Sequence, residues 1–244
     1  MKSLLSLLEI FTTSIGKKLL MAVTGLSFIG FLMVHLAGNL SVYGGRETFN
    51  AYVHHLHSLG ILINLAEIGL LTLALIHVLT GALLFIQNLQ ARPVRYAIKK
   101  NNGGRTWASA TMPYTGFFIL AFIIFHLLGF HFVDHTNTTV FDIMAGAFSS
   151  PLVVGLYIAA VLIVAVHISH GFWSLFQTFG ANHPKYMPII MMLSLVISIV
   201  VAAGFGAVGG CAAGAVAGID GPEIAVDPEA VESIAVDRLA ELGD

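Results

Sequence analysis

Four histidines stand inside long apolar stretches of the chain: His35 in MVHLAG, His77 in LIHVLTG, His126 in IFHLLG and His167 in AVHISHG. An ionisable ring in hydrocarbon surroundings is costly unless something repays it. One such imidazole could hydrogen-bond to a neighbouring helix or relay a proton. Four of them, one on each of four different stretches, fit that reading less well. Neutral imidazole is a good ligand for iron, and two imidazoles on opposite faces of a haem fill both axial positions while the macrocycle sits in an apolar slot between helices. Four histidines used in this way would hold two haems. His170 follows His167 by one turn, so the residues alone leave open which of the two is the ligand.

The stretches that carry these residues are membrane spans. The 244 residues are 57% hydrophobic and 10% charged, with a mean hydropathy of +0.89, against roughly 45–50% apolar and 25% charged in soluble domains. A net charge of -2 built from few charges of both signs gives no basic surface for nucleic acid. The 11 histidines equal all lysines and arginines together. Cys211 is the one cysteine, which excludes an internal disulfide framework, a zinc ribbon or a cysteine-held iron–sulfur cluster. A redox metal in this chain must therefore have other ligands.

Windows of about 20 apolar residues cross a bilayer core. Five can be drawn, at about 19–42, 61–88, 112–133, 151–176 and 187–209, which predicts an all-α integral membrane protein built as a five-helix transmembrane bundle. With a cytoplasmic amino terminus, Lys2, Lys17, Lys18, Arg92, Arg95, Lys99, Lys100, Arg105 and Lys185 fall inside, and Arg46 and Arg238 outside. The positive-inside rule selects that orientation. Residues 1–18 lack a small-residue cleavage site and read as an interfacial segment lying along the membrane. The domain plan is then 1–18, a 19–209 membrane domain, and an acidic tail over 210–244 with a helix start at Asp227 and Pro228. No internal repeat is expected.

Depth pairs the histidines. At 1.5 Å per residue, His35 and His126 lie about 25 and 21 Å from the inner ends of their helices, and His77 and His167 about 18 and 14 Å from theirs. His35 and His126 form an outer pair, His77 and His167 an inner one. Two haems stacked in this way would make an electron path across the bilayer.

The order of motifs carries a family resemblance. VHLAGN, then GGRETFNAYVHHLHSLG with its Phe-Asn loop, LAEIGLLTLALIHVLTG, FHLLG and HISHGFWSLFQTFG resemble the di-haem cytochrome b subunit of succinate:quinone and quinol:fumarate oxidoreductases, from about Gly16 to about Val208. The resemblance implies two haem b groups, with His35 and His126 as axial ligands of the distal one and His77 and His167 of the proximal one. It prefers His167 to His170, because the frame of Ser169, Gly171, Trp173 and Ser174 marks the first histidine. It implies a flavoprotein subunit with FAD and an iron–sulfur subunit as partners on the cytoplasmic face, a dimer of the heterotrimer, and placement in the cell inner membrane. The dicarboxylate chemistry of the complex would belong to those partners, and no constellation for it is visible here. Menaquinone, or another quinone, would be the substrate in contact with this chain.

Quinone chemistry moves protons with electrons, so its site needs a protonatable group within reach of water. His54, His57 and Glu67 are the candidates, all on the outer side near the distal pair. Each has a plain reading beside the functional one: a solvated loop for the histidines, and stabilisation of a helix amino terminus for Glu67. Zinc on His54 and His57 would lack further ligands. Two other classes share these features in part, a di-haem cytochrome of another respiratory complex and a transporter with a histidine relay. The first would distribute its ligands differently over the helices, and a reduced-minus-oxidised absorption spectrum would separate the second. Some relatives carry a glutamate two residues before the position of His167, associated with moving a proton across the membrane. Here that residue is Ala165.

Overall fold

The computed structural model describes residues 13–91 and 106–217. The basic loop with Arg92, Arg95, Lys99, Lys100 and Arg105, the first twelve residues with Lys2, and the acidic tail from 218, which includes the expected helix start at Asp227, lie outside the described residues. Among the described residues the chain forms α1 (Ser14–Asn39), a short 3-10 turn (Leu40–Gly44), α2 (Gly45–Ser58), α3 (Ile61–Gln90), α4 (Trp107–Phe130), α5 (Val140–Phe148), α6 (Pro151–Thr178) and α7 (Met187–Ala217). Helices α1, α3, α4, α6 and α7 are long and apolar enough to cross a membrane. The protein is a multi-pass helical membrane protein.

Local sequence explains where the helices begin. Thr13, Thr106 and Thr139 each accept a backbone N–H three residues on, from Gly16 at 3.0 Å, Ser109 at 3.0 Å and Asp142 at 3.3 Å, so orphan donors at three amino termini are satisfied. Pro151 occupies the first position of α6, where its missing N–H costs nothing. Gly60 joins α2 to α3 with φ of 54° and Gly180 ends α6 with φ of 86°, conformations that a side chain would strain.

Helix α1 starts at Ser14 and carries Lys17 and Lys18 in its first turns, so the end of the segment expected to lie along the membrane is continuous with the first long helix. Helix α7 runs to Ala217, past the expected border of the tail. The stretch around Phe49 and Asn50, read as a loop, is helical: Phe49 is 5% exposed, and the Asn50 side-chain oxygen accepts the N–H of Phe141 at 3.3 Å. Arg46 at the start of α2 lies 2.6 Å from Asp142 in the first turn of α5 and covers the ring of Phe141. Helices α2 and α5 are thereby clamped together at one end of the bundle. That end, which also holds the start of α3 and the end of α4, is called the far face. The near face carries the starts of α1, α4 and α7.

The apolar core has two clusters. Leu36, Val42, Phe49, Phe141, Met144, Ala145, Phe148, Val208 and Ala212 pack at the far face, and Ala22, Ile168, Phe172, Leu175 and Val201 join α1, α6 and α7. Helices α3 and α4 supply no buried apolar residue to either; Thr80 and Thr115 are the side chains that they bury. The buried apolar core therefore runs along α1, α6 and α7, while α3 packs chiefly on α1 and α4 on α6, and α3 and α4 scarcely meet each other.

Candidate functional site: two levels of facing histidines

The structure brings the four histidines together as two pairs, each formed between two helices. His77 of α3 faces His167 of α6 with ring centres 6.5 Å apart, and His35 of α1 faces His126 of α4 at 6.0 Å. Helix direction separates the levels. His35 and His126 lie toward the far face, and His77 and His167 lie nearer the opposite end.

The spacing has a chemical meaning. A metal bound to two imidazoles on opposite sides, with metal–nitrogen distances of about 2.0 Å and roughly 1.1 Å from nitrogen to ring centre, sets the ring centres about 6.2 Å apart. The two pairs lie on either side of that value. Among the described residues no group of three histidine, cysteine or carboxylate side chains gathers to hold a metal. Two imidazoles facing each other at this spacing could bind opposite sides of one metal whose other donors came from a bound group such as a haem.

The near-face rings are held in matching ways. Thr24 Oγ1 on α1 lies 2.9 Å from Nδ1 of His77, and Thr115 Oγ1 on α4 lies 3.0 Å from Nδ1 of His167. A Cβ placed on Gly25 would lie 3.5 Å from Cε1 of His77, and one on Gly116 would lie 3.6 Å from Cε1 of His167. The far-face rings are stacked by a phenylalanine one turn earlier, Phe31 on His35 at 5.3 Å and Phe122 on His126 at 5.9 Å. Their polar neighbours differ, because His126 Nδ1 meets the Tyr157 hydroxyl at 3.1 Å, whereas His35 Nε2 is 3.4 Å from the Asn39 amide nitrogen.

These matches overturn the expectation that the chain has no internal repeat. TGLSFIGFLMVHLAG on α1 and TGFFILAFIIFHLLG on α4 share threonine, glycine, phenylalanine, histidine, leucine and glycine at the same places. Helices α3 and α6 share a histidine, a glycine four residues later and a glutamine ten residues later. The pair α1 and α3 is thus repeated as α4 and α6, with the same direction through the bundle. Eleven residues make about three helical turns, so each threonine lies on the same helix face as the histidine beyond it, about 16 Å away. None of Thr24, Thr115, Tyr157, Phe31 and Phe122 was expected; this repeat is the signal that finds all but Tyr157, whose counterpart on α3 is Glu67.

His170 does not face His77. Its ring lies edge-on to Trp173 at 4.8 Å, and its Nδ1 is buried with no hydrogen-bond partner among the described residues. Glu67 lies 4.0 Å from His131 across α3 and α4, with both side chains about half exposed. The ion pairs among the described residues are this one and Arg46 with Asp142, so neither His54 nor His57 joins Glu67. Both sit exposed on α2.

Fold and site define a class: a helical membrane protein with paired intramembrane histidines at two depths. The chain is 31% identical over 174 residues to the succinate dehydrogenase cytochrome b558 subunit of Bacillus subtilis (strain 168), an overlap covering 68% of this chain and 80% of that relative. It belongs to the family of succinate dehydrogenase cytochrome b membrane subunits. No protein-family model matches the chain, and no solved structure does.

Proposed function

We propose that the chain is the membrane-anchor cytochrome b of a succinate:quinone or quinol:fumarate oxidoreductase, with His77 and His167 as axial ligands of one haem b and His35 and His126 as those of a second. The observation that carries this reading is the pair of histidine couples, each drawn from two helices at a spacing suited to opposite ligation of one metal. Bound there, haem b would supply one-electron transfer between the two faces of the membrane. The side chains hold the two levels about 16 Å apart along the helix axes. Helices α3 and α4 scarcely meet each other and add no buried apolar residue to either cluster, which fits a bundle completed by a planar apolar group between its helices.

The near face, with Lys17, Lys18 and Lys185 among the described residues, is the docking side for an iron–sulfur subunit that receives electrons from a flavoprotein carrying FAD. It corresponds to the cytoplasmic side of the inner membrane. The far face is the quinone side. There Glu67 and His131 form an exposed acid–base couple at the border of the apolar zone, suited to exchange protons with menaquinone and water; His54 and His57 are further candidates on the same face.

The test is co-purification with the flavoprotein and iron–sulfur subunits, followed by succinate oxidation assays with menaquinone and ubiquinone analogues. Quinone reduction by the assembled complex is expected. A chain that assembles with neither subunit, or a complex that oxidises succinate with soluble dyes and reduces no quinone, would overturn the proposal.

A further inference from the structure

Thr24 and Thr115 occupy equivalent places in the internal repeat and touch equivalent atoms. A hydroxyl has one proton. Thr24 Oγ1 lies 2.7 Å from the carbonyl oxygen of Leu20, and Thr115 Oγ1 lies 3.0 Å from that of Met112. A carbonyl can only accept, so each threonine proton can be held within its own helix, and it must be when Nε2 of the facing ring binds iron and Nδ1 keeps the ring proton. What each hydroxyl oxygen offers His77 or His167 is a lone pair, and a contact of 2.9 or 3.0 Å is then a hydrogen bond only if the imidazole carries its proton on Nδ1. Thr24 is 2% exposed and Thr115 is 9% exposed, which leaves little access for water to replace the bond. Threonines in membrane helices commonly bond back to their own carbonyls without further consequence. That habit does not explain why two of them, on different helices, both stand against Nδ1 of a histidine from the neighbouring helix.

We propose that Thr24 and Thr115 are positioning residues for the near-face haem: each accepts the Nδ1–H of its histidine, fixes the tautomer that leaves Nε2 free to bind iron, and strengthens the ring as an electron donor. This deepens the haem assignment of His77 and His167 and rests on it. Metal-bound histidines in general are oriented and tuned by an acceptor on the second ring nitrogen. A more basic imidazole favours the ferric state, so removing the acceptor should raise the midpoint potential. The far-face pair lacks matched acceptors, since Tyr157 stands at one histidine and Asn39 at the other. The effect should therefore be confined to one haem.

The experiment uses the assembled complex. Thr24→Val and Thr115→Val preserve the side-chain shape and remove the hydroxyl, while Thr24→Ser and Thr115→Ser keep it. Redox titration of the absorption bands and electron paramagnetic resonance of the oxidised protein read the two haems separately, the near-face component being the one lost in His77→Ala. Each valine variant should raise the potential and shift the g values of that component alone, and each serine variant should match the parent. Valine variants with both components unchanged, or serine variants shifted as far as valine, would overturn the inference. Should a valine variant fail to accumulate, the serine variant decides: parental g values support the role, and shifted values refute it. Parent protein without haem would refute the functional reading itself, whereas two haems in the parent with insensitive valine variants would refute this inference alone.

Discussion

Gly204 of α7 receives the Leu36 side chain of α1, and filling it tests how tightly the helix packing controls the far-face histidines. A Cβ on Gly204 would lie 2.6 Å from Cδ2 of Leu36, 2.8 Å from Cδ1 and 3.2 Å from Cγ. Carbon atoms in good contact sit about 3.5–4.0 Å apart, so the overlap is roughly 1 Å. Leu36 is 5% exposed and packs in the cluster with Phe148 and Val208, which leaves it little room to rotate away. The helices must separate instead. Overpacking of this kind costs about 1–3 kcal/mol, and alanine returns about 1 kcal/mol through helix propensity, leaving a net loss of about 1 kcal/mol for Gly204→Ala. The disturbance has a direction as well as a size, because Leu36 follows His35 and the next residue on α7, Phe205, has its ring 5.7 Å from that of His35. Gly206→Ala is the control, since nothing lies within 4 Å of a Cβ there. Thermal melting in detergent, followed by the haem absorption, should show Gly204→Ala melting earlier and losing the far-face component first, with Gly206→Ala like the parent. Equal melting and equal spectra for the two variants would refute the reasoning.

Three further outcomes follow from the site. Glu67→Gln should slow quinone turnover at least tenfold while succinate oxidation with soluble dyes stays at the parental rate; unchanged quinone turnover would remove Glu67 and its contact with His131 from the mechanism. His170→Ala should keep both haems in quantitative pyridine-haem assays, because the ring opposite His77 is that of His167 and the ring of His170 packs edge-on against Trp173. Among the described residues the spans hold Glu67 near the start of α3 and no carboxylate deeper, and Ala165 offers no relay beside His167. Electron transfer from the far face to the near face should thus charge the membrane. A unit charge moved through 100 mV is worth about 2.3 kcal/mol. Proteoliposomes with a potential-sensitive dye should report a potential during menaquinol-driven fumarate reduction, and tight vesicles with no potential would contradict this account.

The paired histidines were legible in the sequence because an imidazole in a long apolar run has few ordinary reasons to be there, and counting residues from the helix ends put the four at two depths. The residues that hold them were not. A single threonine in a membrane helix looks like one more back-bonded hydroxyl, and Thr24 and Thr115 become conspicuous only when α1 and α4 are laid over one another at their histidines. Glu67 was legible as a carboxylate at the edge of a span, but its partner was not, since His131 reaches it from the end of another helix. Helix α5 could have been read from its sequence: Phe141, Met144, Ala145 and Phe148 recur at helical spacing and are all buried. At nine residues it is too short to cross a bilayer core, which takes about 20, so hydropathy over a span-length window does not reveal it. Arg46 looked like a stray positive charge on the outer side, and its role depends on Asp142, which lies in that overlooked helix.

The central claim is that each level of facing histidines holds one haem, and the most direct measurement of it is the reduced-minus-oxidised spectrum of the purified complex with single histidine substitutions. The parent should contain two haem b per chain. His77→Ala and His167→Ala should each remove one and the same spectral component, and His35→Ala and His126→Ala should each remove the other. A colourless parent, or the loss of the same component by one substitution from each level, would contradict the account.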